Sequence, residues 1–471
     1  MNVRALEILL AGQPAGILFQ YGEQGEDPVI RFEASEAFAA RPDAPVLSLS
    51  MLAPTPDAQR ALWLNRTAPI FNGQPAGHGN TWLPAFFQGL LPEGVFREHL
   101  AQLRGCDPHD HLELLAAGGL DLPGNLTARP IELTPRDMTH LVTQDADALE
   151  MSVMQAPLDT AMSISGVQPK IGVTEKDGRY VARTRLGDTR IIAKLPTVGY
   201  PLLPEVEHLS LLLAQAAGVD TCEAKLEPLE KLEAEHGYDL GDDVHAQTRF
   251  LAVERFDRHA DGSRTHVEDF GQILGMVPAR KYSRSYLEIA ALLMAPPKAY
   301  AGQPNRMGEP AVHELLRRLV VNELLGNVDM HLKNIGVIYR DGRTPELSPA
   351  YDIVAYAAYG MRQGHALHLL PPDPQAPKAR LKAGEPARAG RPQVTPALLR
   401  TFCAKLDIPE KPAATAIAGA VKLAVRHWPD LIAASALTQR QKSNLSTHVE
   451  AHPMVASLRR RGHAAPTSAP G

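Results

Sequence analysis

An aspartate and an asparagine lie five positions apart in a polar segment of the chain, Asn327-Val-Asp-Met-His-Leu-Lys-Asn334, and a second aspartate, Asp352, follows downstream. In protein kinases, one Asp accepts the proton of the attacking hydroxyl, while an Asn and a later Asp hold magnesium. The spacing from Asp329 to Asn334 matches that catalytic loop. The segment therefore predicts the polar framework of a phosphoryl-transfer site.

The residues on either side predict the elements that would position this loop. Apolar residues at helical spacing from Leu315 to Leu325 predict a helix that ends at Gly326. Ile335–Tyr339 reads as a short strand, and Asp341-Gly342 is a tight-turn signal that leads the chain back toward Asp352. Helix, loop, hairpin and acidic residue thus follow in the order that a kinase needs.

Two other interpretations of the same loop stay open. Asp329 and Asn334 are residue types that often cap turns, so their side chains could serve the backbone alone. A zinc site is a weaker interpretation, because His331 has no second His or Cys at ligand spacing nearby.

The composition bears on other classes of protein. The 471 residues include 48 basic and 53 acidic side chains, a net charge of −5, so nothing indicates DNA binding by this chain alone. Three widely spaced cysteines fit a reducing cytoplasm rather than a disulfide framework. The N-terminus lacks the apolar core of a signal peptide, and no run approaches the roughly 20 apolar residues of a membrane span. We therefore expect a cytoplasmic protein without membrane contact.

Changes of pattern along the chain predict four units. Residues 1–145 begin with a hairpin and include a further strand at Val46–Leu49. Residues 150–258 predict short strands around one helix, and residues 259–450 are predicted to be mainly helical. Residues 451–471 contain a run of arginines and are predicted to form a disordered tail.

The segment Asp107-Pro-His-Asp-His111 admits two interpretations. Its carboxylates and imidazoles could bind a metal ion. Asp107 as a helix N-cap, Pro108 at the first helical position and a stop at Gly118-Gly119 explain the segment better. We therefore predict a helix start here.

A phosphoryl-transfer site also needs a cation and a loop over the phosphates. Lys194 ends an apolar strand, and Glu205 and Glu207 on the following helix are possible partners. The alternative is that Lys194 is a surface lysine on an edge strand. Met162–Gly172 is rich in small residues and predicts a loop whose N–H groups, with Lys170, would approach phosphate, although it contains no Walker A pattern.

Five motifs follow one another in a fixed order: Ser163–Lys170, Ile192–Leu195, Leu251–Arg258, Glu268–Gln272 and Asp329–Asn334. In this order they resemble the HipA-type serine/threonine kinase toxins of bacterial toxin–antitoxin modules. The resemblance covers roughly residues 3–450, and Phe87–Glu93 is similar to the N-terminal subdomain of full-length HipA proteins. It implies an α+β, bilobal protein-kinase-like fold with an N-terminal α/β subdomain, a kinase N-lobe and a mainly helical C-lobe.

The resemblance also implies roles for individual residues. Asp329 would be the catalytic base, Asn334 and Asp352 would hold Mg²⁺, and Ser163 would be autophosphorylated, with Ser165 open as the alternative. The residues implied in ATP binding are Lys194, His331, the loop residues Ser165, Gly166 and Val167, and Glu254 and Phe256, whose backbone would contact adenine.

The implied function is that of an ATP- and Mg²⁺-dependent kinase toxin that inhibits translation by phosphorylating an aminoacyl-tRNA synthetase. Its usual partner is a small helix-turn-helix antitoxin, HipB, which supplies the DNA contact. Two alternatives remain: a weakly catalytic ATP-binding scaffold that represses transcription with the antitoxin, and a kinase of small molecules. The Pro-rich segment 371–391 departs from the family pattern near the place where a protein substrate should dock.

Overall fold

The computed structural model covers the whole chain, and it describes sixteen ranges of residues. They are 2–22, 28–41, 43–77, 80–141, 150–151, 154–158, 161–163, 168–182, 189–234, 236, 238–241, 244–245, 247–295, 306–360, 364–372 and 393–463. The Pro-rich segment falls mainly outside them.

An N-terminal unit is built on a five-stranded sheet in which β1 is central. β1 pairs antiparallel with β2 and β6 and parallel with β7, while β3 pairs with β2. A separate hairpin joins β4 to β5. The strands are β1 (Asn2–Leu10), β2 (Gln13–Gly22), β3 (Val29–Ala34), β4 (Gln74–Gly77), β5 (Asn80–Trp82), β6 (Leu126–Pro130) and β7 (Glu150–Met151).

Six helices complete this unit, and several of them cover one face of the sheet, where Leu6, Ile8 and Leu10 enter an apolar core. The alternation of inward and outward side chains along β1 gives its other face a smaller cluster around Val3 and Ala5. The helices are α1 (Glu36–Ala39), α2 (Pro56–Trp63), α3 (Ala85–Gly89), α4 (Gly94–Arg104), α5 (His111–Ala117) and α6 (Pro135–Leu141).

A second five-stranded sheet is entirely antiparallel, in the order β11-β12-β10-β8-β9. Helix α7 (Leu203–Ala216) packs on it and begins with Pro204 in its first turn, where a missing N–H costs nothing. The strands are β8 (Lys170–Lys176), β9 (Arg179–Ala182), β10 (Ile191–Lys194), β11 (Ala224–Pro228) and β12 (Arg249–Glu254).

The remainder is mainly helical around a small three-stranded sheet, β13-β14-β15. Its core is the largest apolar cluster described, and it includes buried side chains of α7. The elements are β13 (His266–Asp269), α8 (Phe270–Ile273), α9 (Tyr286–Met294), α10 (Gly308–Leu325), β14 (Gly336–Tyr339), β15 (Glu346–Leu347), α11 (Pro396–Leu406), α12 (Glu410–Ala434), α13 (Gln439–Ala451) and α14 (Pro453–His463).

The elements around the polar loop form where the sequence predicts them. Helix α10 ends at Gly326, which adopts φ 63°, a left-handed conformation that glycine takes without steric cost. Strand β14 follows the loop and pairs on both sides, with β13 and β15. The loop is therefore fixed at both ends by buried elements.

Three local predictions are wrong. Val46–Leu49 is not a strand: a 3₁₀ turn at Leu49–Met51 begins here because Ser48 accepts a hydrogen bond from Ser50 N–H. The N-cap of α5 is Asp110 rather than Asp107, since the Asp110 carboxylate accepts from the N–H of Glu113. The predicted disordered tail, residues 451–471, is helical from Pro453 to His463 and buries Val455, whereas residues 464–471 lie outside the described ranges.

The boundaries predicted near residues 145 and 258 stay predictions, and β7 at Glu150–Met151 still belongs to the N-terminal sheet. Across the described ranges, no helix has the length and apolar composition needed to cross a lipid bilayer.

Candidate active site

A cleft opens between the second sheet and the three-stranded sheet, and the N-terminal unit closes one side of it. Lys194 and Glu254 line the cleft on the side of the second sheet, and Asp269 and Asp352 line it on the side of the three-stranded sheet. Other lining residues include Gly89, Leu90, Lys170, Ile192, Glu207, Cys222, Val253, Phe256, Glu268, Lys333, Val337 and Tyr351. Such a concave site with a few converging charges is the usual setting for a bound small molecule.

Lys194 lies at the centre of a three-residue charge cluster. Its Nζ donates hydrogen bonds to the carboxylates of Glu207, on α7, and Asp352. Burial disfavours the charged amine, but the two carboxylates outweigh it and raise the pKa of Lys194 above its usual range. Lys194 is therefore held as a cation, pointing into the cleft, and is not a surface lysine.

Glu207 rather than Glu205 is the helical partner. Residues two positions apart on a helix point in different directions, so only one of the two can face Lys194. Burial raises the pKa of Glu205, and within the described ranges no hydrogen bond or ion pair joins Glu205 to a lysine. The Lys194–Glu207 pair joins β10 to α7, and a Lys–Glu pair between a strand and a helix is also found in protein kinases.

Asp352 has a backbone conformation that few residues with a side chain adopt. Its φ is 53°, in the left-handed region, and this costs a free energy of about 1 kcal/mol or more. Backbone hydrogen bonds hold the adjoining residues in place. The N–H of Ala350 donates to the carbonyl oxygen of Asp220, and the N–H of Cys222 donates to the carbonyl oxygen of Ala350. Burial opposes ionisation, but Lys194 and Lys170 lower the pKa of Asp352, so the carboxylate is charged.

The loop from Asp329 to Asn334 is closed by its own hydrogen bonds. The amide Nδ2 of Asn334 donates to the carbonyl oxygen of Asp329 over 2.8 Å, and the N–H of His331 donates to the same oxygen, also over 2.8 Å. Asn327 Oδ1 accepts from the N–H of Asp329. The five-residue spacing thus folds the loop, and no hydrogen bond to the Asn334 amide oxygen occurs within the described ranges.

The loop joins the cleft through Lys333 and Tyr351. The hydroxyl of Tyr351 donates to the carbonyl oxygen of Lys333 over 2.9 Å, and both residues line the cleft. Asp329, His331 and Asn334 are on the same loop but are not among the residues that line the cleft. Burial lowers the pKa of His331 to about 4, so its imidazole is neutral at physiological pH.

Lys170 lies directly across the ladder from Lys194, at the start of β8. Burial lowers the pKa of Lys170 to about 8, and the nearby ammonium of Lys194 acts in the same direction. Lys170 and Lys194 thus face one cleft in which the carboxylates of Glu207 and Asp352 also lie. Their two ammonium groups are donors from which an anionic ligand such as a polyphosphate could accept hydrogen bonds.

Residues 254–256, which are predicted to contact adenine and correspond to the hinge of a kinase, run along the edge of the cleft after β12. Glu254 is exposed, and its N–H donates to the carbonyl oxygen of Glu223, whereas Phe256 packs its ring 5.8 Å from that of Tyr351. The N–H of Phe256 has no hydrogen-bond partner within the described ranges. It is therefore available to a ligand.

The predicted phosphate loop is only partly described. Ser165, Gly166 and Val167 lie outside the described residues. Ser163 is fully buried and donates from Oγ to the carbonyl oxygen of Leu90 over 2.6 Å. A Cβ at Gly118 would lie 2.9 Å from the Cβ of Ser163, so the N-terminal unit makes room for this serine.

Several residues around the loop were not found from the sequence. Tyr282 donates to Asp329 Oδ1 over 2.7 Å, and Lys281 donates to Glu93 Oε2 over 2.8 Å. Lys333 donates to the carbonyl oxygen of Gly89 over 2.7 Å. The motif Phe87–Glu93 was the available signal, but its position in the chain did not indicate contact with this loop.

Comparison with known proteins agrees with this architecture. The profile of the HipA N-terminal domain matches residues 6–129, and that of the HipA-like C-terminal domain matches residues 162–428, more than half of the chain. Y4dM of Sinorhizobium fredii, named as a candidate kinase, is 33% identical over 366 residues, which cover 76% of this chain and 78% of that protein. Y4mE of the same organism, also named as a candidate kinase, is 29% identical over 298 residues, 58% of this chain and 64% of that protein.

A solved structure shows the same fold over nearly the whole length. HipA from Shewanella oneidensis, determined with HipB and operator DNA, superposes with a TM-score of 0.62 over 97% of both chains, at 19% sequence identity. The predicted α+β, bilobal kinase-like fold is thereby confirmed. On the profile matches and the identity to its relatives, this chain belongs to the HipA family.

Proposed function

We propose that this protein transfers the γ-phosphoryl group of ATP to a serine or threonine hydroxyl of a protein. The observation that carries the proposal is the Lys194–Glu207–Asp352 cluster in a cleft joined to the Asp329 loop. Catalysis of phosphoryl transfer is mostly a matter of positioning and electrostatic stabilisation, and this cluster supplies both. The names of two relatives as candidate kinases support the same proposal.

Each residue has a separate task in this proposal. Lys194 and Lys170 bind the phosphates, and Glu207 keeps Lys194 directed toward them. Asp329 accepts the proton of the substrate hydroxyl as it attacks. The neutral imidazole of His331 adjoins the transferred group without adding a proton to it.

The residues present fit a magnesium ion. Mg²⁺ prefers oxygen ligands, and the second carboxylate oxygen of Asp352 and the amide oxygen of Asn334 would hold it. Bound Mg²⁺ neutralises charge that develops on the transferred phosphoryl group. Lys194 already holds one oxygen of Asp352, which orients the carboxylate.

The hinge suits an adenine base. The free N–H of Phe256 would donate to a ring nitrogen, and the backbone of Glu254 would complete the contact. Ile192, Val253 and Val337 line the cleft as apolar walls for the ring. Backbone recognition here would distinguish adenine without any charged side chain.

Autophosphorylation of Ser163 would regulate the enzyme. Ser163 must leave its buried site to accept phosphate, because its Oγ is fully enclosed against Leu90. A phosphoserine carries about −1.5 to −2 charges and could not return to that site.

The cellular role follows from the family. We propose that the chain is the toxin of a toxin–antitoxin module, with a HipB-like helix-turn-helix antitoxin that binds DNA. The Shewanella complex of HipA, HipB and operator DNA supports this partner. An aminoacyl-tRNA synthetase is the proposed substrate, and loss of its activity would inhibit translation.

Phosphate transfer tests the proposal directly. Purified protein is incubated with labelled ATP and Mg²⁺, and phosphate on Ser163 and on added synthetases is identified by mass spectrometry. Wild type should transfer phosphate, whereas Asp329→Ala should lose transfer by several orders of magnitude. Asp43→Ala, an exposed aspartate far from the cleft, is the matched control and should match wild type.

Two outcomes would contradict the proposal. Equal transfer by wild type and Asp329→Ala would remove the assignment of the base. Nucleotide binding without any transfer by wild type would favour the scaffold that represses transcription with the antitoxin.

A further inference from the structure

A short segment after the 3₁₀ turn Pro278–Arg280 contacts the Asp329 loop at three points. The hydroxyl of Tyr282 donates to Asp329 Oδ1 over 2.7 Å. The ring of Tyr282 packs edge-on against that of His331, with centroids 5.0 Å apart. The carbonyl oxygen of Lys281 accepts from the N–H of Leu332 over 3.3 Å.

The same segment is tied to the N-terminal unit. Lys281 Nζ donates to Glu93 Oε2 over 2.8 Å and lies 5.7 Å above the ring of Tyr282. The other oxygen of Glu93 is buried, 4.0 Å from Lys333 Nζ. The Glu93 carboxylate therefore faces two lysines, Lys281 of this segment and Lys333 of the Asp329 loop.

We propose that Tyr282 is a positioning residue that sets the orientation of Asp329, and that the Glu93–Lys281 pair holds Tyr282 in place. A carboxylate can rotate about its terminal bond, which is a soft torsion. A hydrogen bond from Tyr282 to Oδ1 restricts this rotation and so sets the direction in which the carboxylate faces the substrate hydroxyl. The N-terminal unit thereby contributes to the geometry of the reaction.

This inference rests on the proposed kinase function and asks for a variant that removes one hydroxyl only. Tyr282→Phe keeps the ring, its contact with His331 and its position below Lys281. The matched control is Tyr180→Phe, on β9, whose hydroxyl donates to Glu227 Oε1 over 3.1 Å, away from the Asp329 loop.

Steady-state kinetics separate positioning from folding. Tyr282→Phe should lower kcat by about tenfold, because misplacing a reacting group by a fraction of an ångström is costly. Its KM for ATP and its Tm should stay at the wild-type values, and Tyr180→Phe should keep wild-type kcat. Unchanged kcat in Tyr282→Phe would overturn the inference, as would a loss of kcat matched by a loss of nucleotide affinity or Tm.

Crystal structures decide the inference even without activity. Asp329 should change its side-chain torsion, or occupy more than one, in Tyr282→Phe. An unchanged Asp329 side chain would overturn the inference. If wild type transfers no phosphate, the proposed function fails in the assay, while the two crystal structures still test the positioning role of Tyr282.

Discussion

Two of the buried contacts between the N-terminal unit and the rest of the protein surround a carboxylate with opposite kinds of partner. In the hinge contact, Asp121 and Asp257 are paired with Arg255 and Arg258, all buried. In the β13 contact, Glu268 has neutral donors only, namely the hydroxyls of two residues and one backbone N–H. These donors are Ser48 Oγ, Leu49 N and Tyr339 OH.

The pKa values of Asp121 and Glu268 differ because only Asp121 has cationic partners. Burial alone would raise the pKa of both carboxyls, but the guanidinium groups of Arg255 and Arg258 hold the pKa of Asp121 well below its usual range. Burial raises the pKa of Glu268 to about 7, and the hydrogen bonds from Ser48 and Tyr339 only reduce that shift. Burial alone therefore does not determine whether a carboxyl is charged or how stability responds to pH. A neighbouring cation, present at Asp121 and absent from the donors of Glu268, determines both.

The largest effect is expected in the hinge contact. Asp121→Asn keeps the shape but leaves two buried guanidinium groups with Asp257 alone. Because an uncompensated buried charge is costly, the free energy of unfolding should fall by about 3–5 kcal/mol. Urea denaturation measures this change in the free energy of unfolding. The control is Asp43→Asn, which removes a carboxylate from an exposed ion pair and should change the free energy of unfolding by less than about 1 kcal/mol.

A change of less than about 1 kcal/mol in Asp121→Asn would contradict the view that the pairing of charges stabilises this contact. It would show instead that Arg255 and Arg258 find other partners. The measurement on Asp43→Asn distinguishes that outcome from a general loss of sensitivity in the assay.

An intermediate effect that depends on pH is expected at Glu268. Because its pKa is about 7 when folded and about 4.3 when unfolded, the folded state keeps a proton that the unfolded state has lost between these values. Wild-type stability should therefore fall, relative to Glu268→Gln, by about 2–4 kcal/mol as pH rises through this range. Denaturation of both proteins at several pH values measures the difference.

The Glu268→Gln variant is its own control, because it cannot titrate but keeps the size of the side chain. Above about pH 7.5 and below about pH 4, the difference between the two proteins should be constant. A difference that rises with pH would mean that the carboxylate is stabilised as an anion, as in the hinge contact.

The smallest effect on stability is expected at the third, less buried contact. The side chains of Glu93 and Lys281 are 15% and 14% exposed, so solvent screens their pairing more than it screens the ion pairs of the hinge contact. Glu93→Gln should therefore lower the free energy of unfolding by about 1–2 kcal/mol, less than Asp121→Asn. Thermal and urea denaturation measure this, and kcat should fall more than stability if the pair holds Tyr282.

A loss of stability as large as that of Asp121→Asn would place Glu93 among the residues that hold the fold together. Its contact would then resemble the hinge contact rather than a link to the catalytic loop.

The sequence by itself determined the parts of the site that are closed by local hydrogen bonds. The side chain of Asn334 donates to the carbonyl oxygen of Asp329, only five residues earlier, so one short segment contains all the residues that close the loop. The end of α10 at Gly326 is equally local, because it depends on the conformation of one residue. Predictions of these features needed no knowledge of the rest of the chain.

Only the tertiary structure decided the contacts between distant segments. Lys194 and Asp352 are 158 residues apart, and Glu93 and Lys281 are 188 residues apart. No local spacing selects Glu207 over Glu205 or brings Tyr282 to Asp329, since these choices depend on how helices and units pack. Ser48 shows the same limit: its segment has the composition of a strand, but a hydrogen bond to Glu268, 220 residues away, accompanies a 3₁₀ turn. Short-range hydrogen bonds are encoded in neighbouring residues, whereas buried long-range contacts exist only after the surrounding core has formed.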